Sequence, residues 1–220
     1  MRQKKIIIDF LKNFFKFRPK KVKNYLNRTN NFNKHTNQLV EQKFILKKIK
    51  KYNKKIILDY GCNDCYFANK LSKKYLYFGI DNNPELLRKN NKIYSKNFIF
   101  LKGKKIPFSD EYFECVILSH VIAHIYDPKF LLNEIKRILK KNGIVIIVTP
   151  SKIYKIFYFF LNIFNNYLPD ETISRNYSQK DIYKVSNIGW KLLESQSYSI
   201  TNKKISNQIL NSRVVVILKK

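Results

Sequence analysis

The stretch at 56–71, IILDYGCNDCYFANKL, decides the fold. Its opening is apolar except for Asp59 and reads as a buried strand. Gly61 marks a sharp turn, and the residues from 64 to 74 take up a helical pattern. A strand that feeds a glycine turn and then a helix is the first unit of a sheet wound with helices on both faces. Nucleotide-cradling loops of this shape usually carry three glycines, and this one carries a single glycine. Asn63 stands at the second small position, where Asn is among the few residues that tolerate a left-handed backbone. Cys65 stands at the third, near the start of the following helix.

Outward from this stretch the pattern repeats. Strand-length apolar runs fall at 55–60, 75–80, 97–101, 114–119 and 143–149, and helical candidates at 64–74, 84–92 and 128–140 lie among them. Strands alternating with helices predict a parallel sheet covered on both faces, because right-handed crossovers place helices between parallel strands. WKLLESQSYSI (190–200) and SRVVVILKK (212–220) have no long helix between them and are expected to pair antiparallel at one edge. The predicted fold is therefore α/β, a doubly wound, mostly parallel seven-stranded sheet with an antiparallel C-terminal edge hairpin. Residues 55–220 form its domain, and residues 1–54 a basic helical extension. An aromatic cover containing IYKIFYFFLNIFNNYL is inserted at about 151–176.

A chain of 220 residues suits one domain with a full core. Lys plus Arg number 44 against 15 Asp plus Glu, a net charge of +29, and residues 1–55 alone hold 18 basic and two acidic side chains, net +16. Part of this excess matches a general abundance of Lys, Asn, Ile, Tyr and Phe, so charge by itself does not name a partner. Residues 5–17 set Ile7, Leu11, Phe14 and Phe15 on one helical face opposite Lys5, Asp9, Lys12 and Lys16, which suits either an anionic membrane surface or packing on the chain's own domain. Three cysteines and no secretory pattern predict a reducing, cytoplasmic setting rather than a disulfide framework. The longest uncharged run, 156–169, is 14 residues with three Asn, too short and too polar to span a bilayer.

In a sheet of this kind a ligand binds beyond the C-terminal strand ends, where the strand order reverses. Asp59 and Asp81 stand at the tips of the first two strands, with the glycine turn between them. A carboxylate at Asp81 can accept hydrogen bonds from both hydroxyls of a ribose, so the set describes an adenosine pocket. His120 and His124 lie four apart in the loop after the fourth strand. Either could take a proton, and either could instead pack structurally with bonds to backbone. Cys62 and Cys65 form a C-x-x-C without a second cysteine pair, which argues against a metal site or thiol chemistry.

These residues resemble the class I S-adenosylmethionine-dependent methyltransferases, most closely the small-molecule type 11 group. ILDYGCND resembles the first motif of that family and GIDNNPELL the second. IPFSDEYFECVILSHVIAHIYDP resembles the segment leading through the fourth strand, and FLLNEIKRILKKNGIVIIVTP the helix and fifth strand that follow. YSQKDIYKVSNIGWKLLES is similar to the final helix and sixth strand. The resemblance implies a Rossmann-like methyltransferase fold and S-adenosylmethionine as cofactor. It implies that Asp59 and Gly61 hold the methionine end, Asp81 the ribose and Asn82 the adenine edge, with Ser119 and His120 on the sulfonium side and Cys62 and Asn63 also among the cofactor-binding residues. The sequence departs from the family at Asn63 and Cys65, at the loop KGKKIPF, which lacks the acid near the adenine amine, and at Ala123, where Glu is common.

The acceptor stays open at this point. A small molecule such as a sugar or lipid-linked precursor fits the group resembled. RNA fits the charge, though neither an Asn-Pro-Pro-Tyr motif nor an RNA-binding module is present. A relative that keeps the fold as a binding unit is the third reading.

Overall fold

The computed structural model describes residues 41–63, 66–71, 73–94, 97–152, 175–186, 189–198 and 213–220. Two compact units divide the chain, Met1–Lys43 and Phe44–Lys220. The basic segment at 5–17, the connector after it and most of the aromatic cover lie outside the described residues.

The second unit is a single seven-stranded sheet. Its strands are β1 (Ile56–Tyr60), β2 (Leu76–Asp81), β3 (Phe98–Phe100), β4 (Phe113–Ser119), β5 (Leu139–Pro150), β6 (Lys191–Tyr198) and β7 (Arg213–Lys219). Among the described residues its helices are α1 (41–51, whose residues from Phe44 on fall in this unit), α2 (Tyr66–Leu71), α3 (Pro84–Tyr94), α4 (Pro128–Ile138) and α5 (Gln179–Ser186). The strand order is β3-β2-β1-β4-β5-β7-β6. β1 through β5 pair in parallel, and β7 runs antiparallel to both β5 and β6, as the C-terminal pattern predicted. β5 starts earlier than its apolar run because Leu139 already pairs with Phe113, before a register shift in which the residues 140–143 of β5 bulge out ahead of the Cys115–Ile144 pair.

Alternation along the strands builds two cores. Leu58, Ile80, Val116, Leu118, Val145 and Ile147 face one side with Leu131, Leu132 and Ile135 of α4. Ile57, Ile117, Ile144 and Ile146 face the other with Ile45, Ile49, Phe67, Leu71 and Leu87. Strands buried on both faces read as continuous apolar runs, which is why they were visible in the sequence.

The helix α1 belongs to this unit, although its charge groups it with the basic extension. Ile45 and Ile49 are 0% and 1% exposed. Glu194 of β6 accepts hydrogen bonds from Lys48, from Lys51 at 2.5 Å and from the Tyr52 hydroxyl at 2.6 Å. Burial pushes the Glu194 carboxyl up, but these three donors outweigh it and hold the carboxyl down at about 2. Among the described residues no helix is long and apolar enough to cross a membrane.

The helices begin where the chain offers caps. Asp127 accepts from Phe130 N at 3.0 Å, with Pro128 in the first turn of α4. Asn83 Oδ1 accepts from Glu85 N and Leu86 N ahead of Pro84. Ser178 and Asp181 cap α5 reciprocally, each bonding the other's backbone N–H.

One side chain fixes the loop between β3 and β4. Arg137 of α4 donates to both oxygens of Glu134, to Asp110 at 2.7 Å and to the carbonyls of Ile106 and Phe108 at 3.0 and 2.9 Å. Glu134 also accepts from Ile106 N at 3.0 Å. The hydrogen bonds from Arg137 hold the Glu134 carboxyl below its ordinary range, and those to Glu134 raise the guanidinium in return. Above this brace Phe78 and Phe113 pack edge to face on Phe108 and Tyr112, which stack on each other, with Phe108 and Phe113 centroids 4.7 Å apart.

Candidate functional site

The chain runs β1, β2, β3 to one edge of the sheet and then returns to place β4 on the other side of β1. The order therefore reverses between β1 and β4, and the loops beyond those two strands frame the crevice.

Gly61 makes the first turn at φ +71°, and a Cβ there would meet Val121 Cγ2 of the β4 loop at 2.5 Å. The β1 and β4 loops thus approach so closely that only glycine fits between them. The Gly61 and Cys62 N–H groups both donate to Ile80 O, at 2.8 and 3.1 Å, which folds the turn back over β2. Asn63 follows at φ +45°, the left-handed conformation its position called for.

Asp81, at the tip of β2, is half-buried. Its Oδ2 accepts from Asn63 N at 3.0 Å and its Oδ1 from Asn83 N at 3.0 Å. Each carboxylate oxygen has room for a second donor, so two acceptor positions are left for a ligand diol. Tyr60 is 8% exposed, and burial, with the Asp81 charge adding to it, pushes its phenol up to about 12. Asn82 is exposed at the crevice rim.

Two predicted contacts take a different form. Asp59 is only 3% exposed, and its Oδ2 accepts from the Tyr77 hydroxyl at 2.7 Å, so its carboxylate lies beneath the loop and not on the crevice surface. The Cys62 thiol is turned into the second core, where a Cβ on Gly79 would meet Sγ at 2.9 Å. Left-handed backbone at Gly61 breaks the strand alternation, and the side chain after it points inward. Cys62 can offer the crevice only its backbone, and Cys65 lies outside the described residues. Among the described residues no group of three His, Cys, Asp or Glu could hold a metal ion.

Across the crevice, Ser119 ends β4 and pairs with Val148. His120 follows at φ +61° and donates its N–H to Val148 O at 2.8 Å. His is one of the residues enriched in this conformation, and held strain of this kind collects at functional sites. His120 is half-buried and His124, in the turn Ile122–His124, is exposed. Ala123 is buried and accepts from Arg175 N at 3.1 Å, so the residues after the aromatic segment return to the β4 loop. Tyr126 is 86% exposed and Phe130 40%, both on the segment that follows His124 in the chain.

The geometry also contains a residue that no motif suggested. Asn90 of α3 is 2% exposed, and its Nδ2 donates to Asn63 O at 2.7 Å.

Comparison with known proteins agrees with this architecture. Residues 58–147 match the profile described as a methyltransferase domain. An uncharacterized protein of Methanocaldococcus jannaschii is 32% identical over 152 residues, covering 64% of this chain and 61% of that protein. The chain thus spans about three-fifths of the length of that relative. In fold it is similar to a protein from Pyrococcus horikoshii, with TM-score 0.61, 18% identity and coverage of 80% of this chain and 86% of that one. A SAM dependent methyltransferase from Aquifex aeolicus gives TM-score 0.57 at 19% identity, covering 92% of this chain and 98% of that one.

Proposed function

We propose a function from one premise, that residues 58–147 of this chain match a methyltransferase domain: the chain transfers a methyl group from S-adenosylmethionine to a small-molecule acceptor. The observation that carries the proposal is the β1 turn and the tip of β2 beside the point where the strand order reverses. Gly61 leaves backbone where a Cβ would collide, and Asp81 keeps two acceptor positions beside it. This cradle fits an adenosyl group, with Asp81 on the ribose hydroxyls, Asn82 at the adenine edge and the Gly61–Asn63 backbone along the methionine end. Buried Asp59 sets negative charge under the end that carries the cofactor's ammonium, an interaction strengthened by the low polarity around it.

When bound, S-adenosylmethionine supplies an activated methyl group on sulfur that leaves by in-line displacement. The protein's part is alignment and exclusion of water. Ser119 and His120 close the side of the crevice opposite Asp81. His120, half-buried on the β4 loop, is the group we assign to accept a proton from an acceptor hydroxyl or ammonium, with exposed His124 as the alternative base. Exposed Tyr126 and Phe130 follow His124 in the chain and offer apolar area, which supports an acceptor with an apolar portion, such as a lipid-linked precursor.

The purified chain incubated with methyl-labelled donor and a cell extract tests the assignment by mass spectrometry. Label in a small molecule or lipid supports it. Label in RNA moves it to the second reading, which the net charge of +29 favours. No labelled product despite cofactor binding leaves the fold as a binding unit.

A further inference from the structure

We propose that Asn90 is a positioning residue for the cofactor loop: from inside the domain it holds the carbonyl of Asn63 and so keeps a residue other than glycine in the left-handed conformation the crevice requires. The inference rests on the cofactor reading above and extends it to a residue that would touch no ligand.

Asn63 is gripped at both of its peptide groups. Its N–H donates to Asp81 Oδ2 at 3.0 Å, and its carbonyl accepts from Asn90 Nδ2 at 2.7 Å. The two grips belong to one closed circuit. Asp81 Oδ1 accepts from Asn83 N, Asn83 caps α3, and α3 carries Asn90 back to the Asn63 carbonyl. Fixing both flanking peptides leaves residue 63 no freedom to leave φ +45°. Backbone in a sparsely populated region persists only where its surroundings over-determine it, and the circuit supplies that.

Burial shows that Asn90 is not incidental. A helix position that is 2% exposed ordinarily holds Leu or Ile, and its neighbour on the same face, Leu87, is 3% exposed. An amide at such a place costs free energy unless it is hydrogen-bonded, and the partner it has is the loop carbonyl. Glycine loops reach this conformation without help. A chain with Asn at the second position has the conformation imposed by a side chain from the next helix.

The test separates loop positioning from general stability by using two ligands that share a nucleoside. S-adenosylmethionine reaches the β1 loop with its methionine end, whereas 5′-methylthioadenosine lacks that end and depends on Asp81 and Asn82. Titration calorimetry of the full chain should show Asn90→Leu binding S-adenosylmethionine roughly five- to tenfold more weakly than the original chain. Its affinity for methylthioadenosine should stay within about twofold. Equal loss for both ligands, or loss for neither, overturns the proposal. If Asn90→Leu does not fold, Asn90→Ser, whose hydroxyl is too short to span the distance, should give the same ratio. Failure of the original chain to bind either ligand overturns the cofactor reading. The clamp is then judged alone by amide hydrogen exchange, where Asn90→Leu must speed exchange at Asn63 while the β4 and β5 amides stay unchanged. Unchanged exchange at Asn63 refutes it.

Discussion

The loop between β3 and β4 is fixed by one guanidinium, whereas the loop after β1 is fixed through backbone groups held by a carboxylate and an amide. Arg137 directs its donors to Glu134, Asp110 and two carbonyls, so that side-chain ties from α4 set the course of the loop. Asp81 and Asn90 spend one bond each on Asn63 and leave the crevice surface to backbone and to the remaining carboxylate lone pairs. The difference teaches that the stretch from Glu134 to Leu139 and its partner turn at 106–108 are tied by side chains, whereas the β1 loop rests on backbone conformation. The stretch that would perform chemistry is sparse and depends on conformation.

Replacing Arg137 by Leu should give the largest effect on stability. It strands Glu134 with its backbone partner only and frees two carbonyls, a loss of about 3 kcal/mol or more by denaturant titration. Cofactor affinity of the folded fraction should hardly change. If affinity falls as steeply as stability, the two loops are not separately held.

Asp81→Ala should show the reverse pattern, with cofactor binding weakened by about 1–3 kcal/mol in calorimetry. Unfolding should move less, because the Asn63 and Asn83 N–H groups it releases are exposed to water. Gly61→Ala sharpens the contrast, since a Cβ at 2.5 Å from Val121 Cγ2 on backbone at φ +71° must displace the β4 loop. It should cost about 1–3 kcal/mol of stability and reduce binding as well. A neutral result would mean that the two loops do not meet at this point.

The smallest effect belongs to the far edge of the sheet. Glu194 titrates at about 2 in the folded chain against an ordinary 4.5, so its ties to α1 act in full above pH 4.5 and are lost as the pH falls to about 2. Glu194→Gln should lower stability by about 1 kcal/mol at neutral pH. The stability difference from the original chain should shrink through that acid window. A difference independent of pH would show that Glu194 is not the group that ties α1 down.

The sequence made the sheet readable because strands covered on both faces are continuous apolar runs and the helices between them keep a 3.6-residue period. Gly61, Asn63 and Asp81 were readable because turn chemistry and strand tips restrict which residues can stand there. The ties of α1 to the sheet have little sequence signal, because lysines surround Ile45 and Ile49 and its tether, Glu194, is distant in sequence. The inward turn of Cys62 has no sequence signal, because alternation does not survive a left-handed turn. Asn90 gave no signal at all. In a chain rich in Asn, one buried amide on a helix looks like any surface residue until its partner is seen.

The central claim is that the crevice beside Gly61 holds an adenosyl sulfonium with Asp81 on its ribose. Calorimetric titration of the full chain with S-adenosylmethionine, run beside Asp81→Ala, tests it most directly. The account predicts saturable binding that the substitution weakens, and absence of binding at millimolar cofactor, or equal binding by both proteins, would contradict it.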